Sequence, residues 1–271
     1  MQYLYDRRKE WEDKAYAEVQ KALALDPNLA EVYYARGRLA WTLSQGFQVE
    51  PAVADLRRAI ELGPSLADHR WLGVLYHHVG LLDRGLVELN VARRLDPSVY
   101  AREGMIPMTY LYQGDYQRVL GFYEKEPKAA EGATVYAAAL IYLARLAEAR
   151  RLVDEALQKN PKDSTVAAVH ALLLAREGER RKAEEAIARA TSLGEGFSGV
   201  HHDQHFIASA YALLGRKREA LAWLEKSAEN GLPCYPYFEK DPHLESLRGE
   251  PGFQAFMKAL KARWEHYRAT P

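Results

Sequence analysis

The 271-residue sequence has a single cysteine and no excess of charge of either sign. One thiol, Cys234, cannot form an intramolecular disulfide, and alone it cannot build a cysteine-based zinc site. The 37 Lys and Arg residues are matched by 37 Asp and Glu residues, so the chain lacks the basic surplus that draws proteins to phosphate backbones. We therefore expect no nucleic acid as the main partner.

The sequence also lacks a long hydrophobic run. The segment from Met1 to Glu10 carries several charges and no apolar stretch, which predicts neither a signal peptide nor a transmembrane helix. Apolar residues still make up 48% of the chain and charged residues 27%, a balance typical of chains that fold around a core. We expect a cytoplasmic protein with no membrane contact in this chain, unless the chain was excised from a membrane-anchored parent.

What recurs along the sequence is a unit of about 34 residues. In its clearest copy, two apolar helical faces are separated by a glycine and ended by a proline, with the markers Leu72, Gly73, Tyr76, Gly80, Gly85, Leu89, Ala92, Asp96 and Pro97. Later copies place their turn glycines at Gly114, Gly178 and Gly215. Glycine closes a helix because it tolerates a left-handed backbone. We therefore expect helix, turn, helix and break to repeat along the chain.

This pattern resembles the tetratricopeptide repeat family from about Tyr3 to Leu232, although Tyr33, His69 or Ala133 stands where that family favours tryptophan. The resemblance implies an all-α fold, a right-handed superhelical solenoid of antiparallel helix pairs with about six to seven units and a C-terminal capping helix. Residues 1–232 would form the array, with a truncated first repeat. Residues 233–271 would form a capping segment packed on the last repeat.

The C-terminal part is similar to the closing segment of bacterial tetratricopeptide proteins, including some serine/threonine kinases and transcriptional regulators. The motifs that carry this resemblance are Tyr211 to Gly215, Glu219 to Lys226, Asp241 to Arg248 and Pro251 to Phe256. No glycine-rich loop, catalytic loop or metal-binding motif of a kinase accompanies them. We therefore expect no enzyme and no catalytic residues in this chain.

In the tetratricopeptide family the first helix of each unit lines a concave groove that usually captures a peptide or protein segment. Carried over residue by residue, the expected partner-binding positions are Tyr34, Arg38, Trp41, Arg70, His77, Met108, Tyr112 and Tyr142. Rigid rings and arginine forks are enriched at binding hot spots, which favours a peptide with apolar anchors and an acidic or carboxylate group. The alternative is that several of these rings pack between repeats.

One histidine pair has the spacing of metal ligands. His201 and His205 lie one helical turn apart and could share an ion, but a polar helix start explains the same residues. His77 and His78 would point about 100° apart on one helix and cannot readily share an ion. We therefore expect no cofactor and no resident metal, and we keep His201 and His205 as a weak candidate.

Three functional readings stay open. The leading one is a non-catalytic scaffold or adaptor that binds a protein or peptide in the groove, as part of a bacterial signalling protein. The second is a small-molecule or metal-binding sensor that uses the tyrosine, arginine and histidine lining. The third is a structural solenoid that forms homo-oligomers through its repeat ends.

Overall fold

A computed structural model describes residues 9–97, 104–125, 134–195 and 199–269, and within these ranges the chain is all-α without a strand. The expectations stated above for Met1 to Arg8 and for Ala133 lie outside them. None of the helices in these ranges combines the length and the apolar character needed to cross a membrane.

Within the described ranges, six helix pairs follow a single helix, α1 (Lys9–Leu25). The pairs are α2 (Ala30–Ala40) with α3 (Val49–Leu62), α4 (Leu66–His78) with α5 (Leu82–Leu95), α6 (Met105–Tyr112) with α7 (Tyr116–Lys125), α8 (Thr134–Tyr142) with α9 (Leu146–Lys159), α10 (Ser164–Arg176) with α11 (Arg180–Gly194), and α12 (Val200–Leu213) with α13 (Lys217–Glu229). The C-terminal part contains α14 (Tyr235–Lys240), a 3-10 helix (Pro242–Leu247) and α15 (Pro251–Ala269). The prediction of an all-α solenoid of helix pairs is confirmed.

The turns inside the pairs have the geometry that the glycine spacing predicts. All four turn glycines have a positive φ, between 75° and 81°: Gly80, Gly114, Gly178 and Gly215. In the α8–α9 turn the same left-handed position is held by Ala144, with φ 58°. An L-residue with a Cβ is strained in this region, so that turn forms at a cost that its glycine counterparts avoid.

Two helices approach closely where Gly73 and Gly85 face each other across α4 and α5. A Cβ added to Gly73 would lie 2.7 Å from Leu89 Cγ and 3.1 Å from the Gly85 carbonyl oxygen. Any larger side chain there would force the two helices apart. The small residue midway along the first helix is therefore a packing requirement, as the sequence predicts.

The main hydrophobic core runs from Leu82 at the start of α5 to α15, and α10 lies within it. Apart from His170, the side chains of α10 from Val166 to Ala175 are all buried. A helix that is apolar on every side is buried on every side. This central helix holds the middle repeats and the C-terminal part in one core.

The C-terminal part, residues 233–269, is called the closing segment below. It packs on α12 and α13 of the last pair, as expected of a cap, and it also reaches much earlier repeats. Trp264 Nε1 donates a hydrogen bond to the Gly80 carbonyl at 2.9 Å, and Lys240 Nζ donates one to the Gln113 carbonyl at 3.1 Å. This segment therefore contacts the last repeat and also the turns of two earlier helix pairs, α4–α5 and α6–α7.

Candidate functional site

The middle of the concave face is filled by rings of the closing segment. Tyr237 stacks between Tyr112 and His205, with ring centroids 3.9 Å and 4.0 Å away. His243 stacks on Tyr142 at 4.4 Å, and Phe238 is fully buried beside them. Offset stacks of this kind stabilise beyond the apolar area that they bury. The side chains of this part of the surface are therefore buried in the core.

Asp241 anchors the closing segment at this position. Its Oδ2 accepts hydrogen bonds from Ser209 Oγ at 2.9 Å and Tyr142 Oη at 3.1 Å, and its Oδ1 accepts one from the His243 backbone N–H at 2.8 Å. Burial would raise the pKa of Asp241, but the His205 ring, whose Nε2 lies 3.2 Å from Oδ2, and the neighbouring His243 outweigh it and lower the pKa to about 2. The carboxylate is thus charged at neutral pH and held by several donors.

Several residues expected in an open groove are buried or packed against the core. His77 is 0% exposed and Tyr112 is 2% exposed, while Met108 and Tyr142 pack against the main core. His77 Nδ1 lies 2.9 Å from Thr109 Oγ1, whose hydroxyl donates to the Met105 carbonyl. His77 therefore donates to Thr109 from Nδ1, and its role in the observed structure is packing. The expectation of an open groove fails at His77 and Tyr112, because the chain covers its own surface there.

The N-terminal part of the concave face remains open as a cavity of about 560 Å³. Its volume falls in the range of ligand-binding pockets. The lining is mostly apolar and aromatic, and consists of Ala15, Glu18, Val19, Tyr34, Ala35, Arg38, Leu39, Trp41, Thr42, Phe47, Trp71, Val74, His78, Gly199, His201 and His202. Three residues that the sequence places in the groove, Tyr34, Arg38 and Trp41, therefore meet in one cavity.

Arg38 is the main cationic group of this cavity. Its guanidinium lies 4.3 Å from the Trp71 ring centroid and 5.6 Å from that of Tyr34. No carboxylate among the residues that the structure describes forms an ion pair with it. Arg70 also lies over Trp71, at 5.4 Å, but is not part of the cavity lining. The cavity thus combines aromatic walls with a cation, Arg38, that pairs with no carboxylate of the described residues.

Three histidines also line the cavity, and we refer to His78, His201 and His202 as the histidine trio. His78 Nε2 lies 3.0 Å from His201 Nε2, which lies 3.1 Å from His202 Nε2. One ligand nitrogen from each ring falls within 4.8 Å of the others. His78 ends α4, whereas the other two occupy the first turn of α12, so the curvature of the solenoid brings the trio together.

Hydrogen bonds at the outer nitrogens orient two of these rings. His78 Nδ1 lies 2.7 Å from the Val74 carbonyl oxygen, which can only accept, so the His78 proton is on Nδ1 and Nε2 carries a lone pair. His202 Nδ1 lies 2.6 Å from Tyr112 Oη. His201 is positioned through its backbone, since Ser227 Oγ donates to its carbonyl at 2.7 Å.

The trio is electrically neutral at physiological pH. Burial lowers the pKa of His78 to about 4, partly opposed by the Val74 hydrogen bond. Burial also lowers the pKa values of His201 and His202 well below the usual range, and the neighbouring histidine rings lower them further. Each ring therefore retains an unprotonated nitrogen, which is the form that binds metals.

The weak candidate pair His201 and His205 is divided between two environments. His201 joins the trio, whereas His205 Nε2 lies 3.2 Å from Asp241 Oδ2 in the closed part of the concave face. Helical spacing paired His201 with His205, whereas the structure places His78 and His202 beside His201. No local signal could have found His78, which is 123 residues away in sequence.

No model of a known protein family matches the chain, and no curated protein matches it. Among solved structures, the crystal structure of yeast Tom70 is similar, with a TM-score of 0.51 at 17% identity over 98% of this chain and 62% of that one. The TPR domain of P58(IPK) matches with a TM-score of 0.32 at 19% identity, over 95% of this chain and 64% of that one. The chain therefore spans less than two thirds of the length of either protein.

At these identities the likeness to Tom70 bears on the fold alone. The resemblance of the stretch from Tyr211 to Phe256 to bacterial kinases and regulators stays a prediction. Together with the six helix pairs and their left-handed turns, the likeness identifies the fold as an all-α solenoid of tetratricopeptide-like helical repeats.

Proposed function

We propose that this protein is a non-catalytic binding scaffold that holds an apolar segment of a protein partner in its N-terminal cavity. The observation that carries this proposal is the cavity of about 560 Å³ left open beside a concave face that is otherwise filled by the chain itself. Aromatic walls give a partner side chain contact area at little entropic cost. The similarity of the fold to helical-repeat proteins is consistent with such a role.

Arg38 gives the proposed partner its chemistry. A guanidinium among the rings of Trp71 and Tyr34 has no carboxylate partner among the described residues. Arginine pairs carboxylates through a planar donor fork. We expect the bound segment to combine an apolar anchor with an Asp, Glu or C-terminal carboxylate. The resemblance of the closing segment favours a partner or parent protein in bacterial signalling.

The test is a crosslinking pull-down from lysate of the source cells with two matched double variants. Tyr34→Ala with Arg38→Ala removes a ring and a cation from the cavity. Tyr33→Ala with Arg58→Ala removes the same two residue types from an adjacent face, where Arg58 lies 5.9 Å from the Tyr33 ring centroid and neither residue lines the cavity. We expect the wild type and the Tyr33 variant to capture the same partner and the Tyr34 variant to lose it. Equal capture by all three proteins would contradict the cavity assignment.

A small-molecule sensor is the second candidate function, and the volume of the cavity, about 560 Å³, favours it. A cavity of this volume suits a drug-sized ligand, and Arg38 would again select a carboxylate. Native mass spectrometry of the purified protein would show a retained ligand that is absent from Arg38→Ala. If that mass is found and no protein partner is captured, the sensor reading replaces the scaffold.

A further inference from the structure

The histidine trio has the geometry of a metal site that has three protein ligands. A tetrahedral Zn²⁺ ion with Zn–N bonds of about 2.0–2.1 Å holds its ligand nitrogens about 3.3 Å apart. The Nε2 atom of His201 lies 3.0 Å from that of His78 and 3.1 Å from that of His202. Two of the three distances between Nε2 atoms thus lie within a few tenths of an ångström of the spacing that Zn²⁺ requires.

The three Nε2 atoms that face one another have too few protons for every one of them to be hydrogen-bonded. The Val74 carbonyl fixes the His78 proton on Nδ1, so the His78 Nε2 atom faces its neighbour with a lone pair. His201 Nε2 lies between the other two nitrogens and has at most one proton to offer to both. A divalent cation would accept a lone pair from each ring and satisfy all three nitrogens together.

The contacts behind the rings are those that orient metal ligands. A ligating histidine almost always donates its other N–H to a carbonyl, a carboxylate or a water. His78 Nδ1 has the Val74 carbonyl as its partner, and His202 Nδ1 has the Tyr112 hydroxyl at 2.6 Å. The phenol ring of Tyr112 is itself fixed by its stack on Tyr237 at 3.9 Å. Two of the three rings are therefore oriented from behind, whereas the buried Nδ1 of His201 has no hydrogen-bond partner among the described residues.

We propose that His78, His201 and His202 bind one divalent transition-metal ion of the Zn²⁺ type, with one coordination position directed into the N-terminal cavity. All three histidines line that cavity, and three-histidine sites commonly leave a fourth position to water or a bound ligand. Neutral imidazoles suit Zn²⁺, Cu²⁺ and Ni²⁺ rather than Mg²⁺ or Ca²⁺. The positive end of α12 opposes the cation, but this effect is small beside the energy of three coordinate bonds.

The test uses full-length protein without a histidine tag, stripped with a chelator and titrated with ZnCl₂ by calorimetry. The site variants are His78→Gln, His201→Gln and His202→Gln. The control is His170→Gln on α10, which removes a histidine outside the trio. We expect one ion per chain in the wild type and the control, and an affinity at least about 10-fold lower in each site variant. Unchanged affinity in the site variants, or no saturable binding by the wild type, would overturn the proposal.

Replacing Zn²⁺ by Co²⁺ gives a readout that needs no variant. Four-coordinate Co²⁺ with nitrogen ligands has intense visible bands, whereas six-coordinate hydrated Co²⁺ has weak ones. We expect intense bands in the wild type that a stoichiometric amount of Zn²⁺ removes, and weak bands alone would overturn the site even if a glutamine variant failed to fold. Neither result depends on partner capture, so failure of the metal site and failure of the scaffold are separately visible.

Discussion

Two parts of one concave surface differ in this protein: the chain itself fills one part, and the other is open. In the middle, Tyr237 and Phe238 of the closing segment fill the groove and turn its rings into core. Towards the N terminus, Tyr34 and Arg38 remain around an open cavity. The residue types are similar in both parts. What separates them is whether the closing segment reaches that stretch of the surface, which shows that aromatic composition alone does not identify a binding groove.

Adjacent residues on α4 mark the boundary between the two parts. His77 is 0% exposed and stacks on Tyr112 at 4.2 Å, inside the closed part. His78 lines the open cavity and meets His201. Neighbours on a helix point about 100° apart, so consecutive histidines fall on opposite sides of the boundary.

Phe238→Ala should cause the largest loss of unfolding free energy, because it disrupts the packing of the closed part. The ring is fully buried in the main core, and Phe-to-Ala changes at such sites cost about 3–5 kcal/mol of unfolding free energy. Tyr34→Ala in the open part should cost about 1–2 kcal/mol, because the side chain is only half-buried. Urea denaturation of both variants measures the difference. Equal losses would show that the two parts are packed alike.

Asp241→Asn should lower stability at neutral pH by about 2 kcal/mol, since the charge-assisted hydrogen bonds from Ser209 and Tyr142 are weakened. The pKa of Asp241 is lowered from 3.8 to about 2. A depressed pKa contributes stability that is fully present above the unfolded pKa and is lost as the pH falls through the folded one. His205 and His243 face the same carboxylate.

The wild type should therefore lose this contribution to stability between about pH 4 and pH 2. The stability of Asp241→Asn should not show this dependence on pH. The exposed Asp154→Asn on α9 is the matched control and should follow the wild type. Denaturation curves across this pH range would contradict the anchor role if Asp241→Asn and the wild type lose stability in parallel.

Gly178→Ala sharpens the comparison because it affects neither part of the concave face. Its φ is 79° and a Cβ there would meet no atom within 4 Å, so the expected loss of about 1 kcal/mol comes from backbone strain alone. Ala144→Gly should do the reverse and stabilise by about 0.5 kcal/mol, since it relieves the left-handed alanine. Thermal denaturation measures the loss of stability in Gly178→Ala and the gain in Ala144→Gly. Partner capture should be unchanged in both variants.

Arg38→Gln should have the smallest effect on stability, within about 0.5 kcal/mol, because it removes no buried ion pair among the described residues. Capture of a carboxylate-bearing partner should nevertheless be lost. A pull-down alongside a denaturation curve separates these two outcomes. Full capture by a stable Arg38→Gln protein would mean that the cavity cation does not select the ligand.

Local signals in the sequence predicted the repeat units well and the long-range contacts poorly. Gly80, Gly178 and Gly73 have the conformations and close approaches that their spacing indicated, because a turn or a helix crossing depends on neighbouring residues. The hydrogen bond from Trp264 to Gly80 and the pairing of His78 with His201 depend on the curvature of the whole solenoid. Curvature is a sum of small rotations between repeats, and no local periodicity specifies it.

Hydrogen exchange over the closing segment tests the central claim most directly. If this segment is part of the core, the amides of residues 235–247 should exchange as slowly as those of α10, through global unfolding, while α1 beside the open cavity exchanges faster. Fast exchange of residues 235–247 with α10 still protected would contradict the account, because the middle of the concave face would then be open in solution.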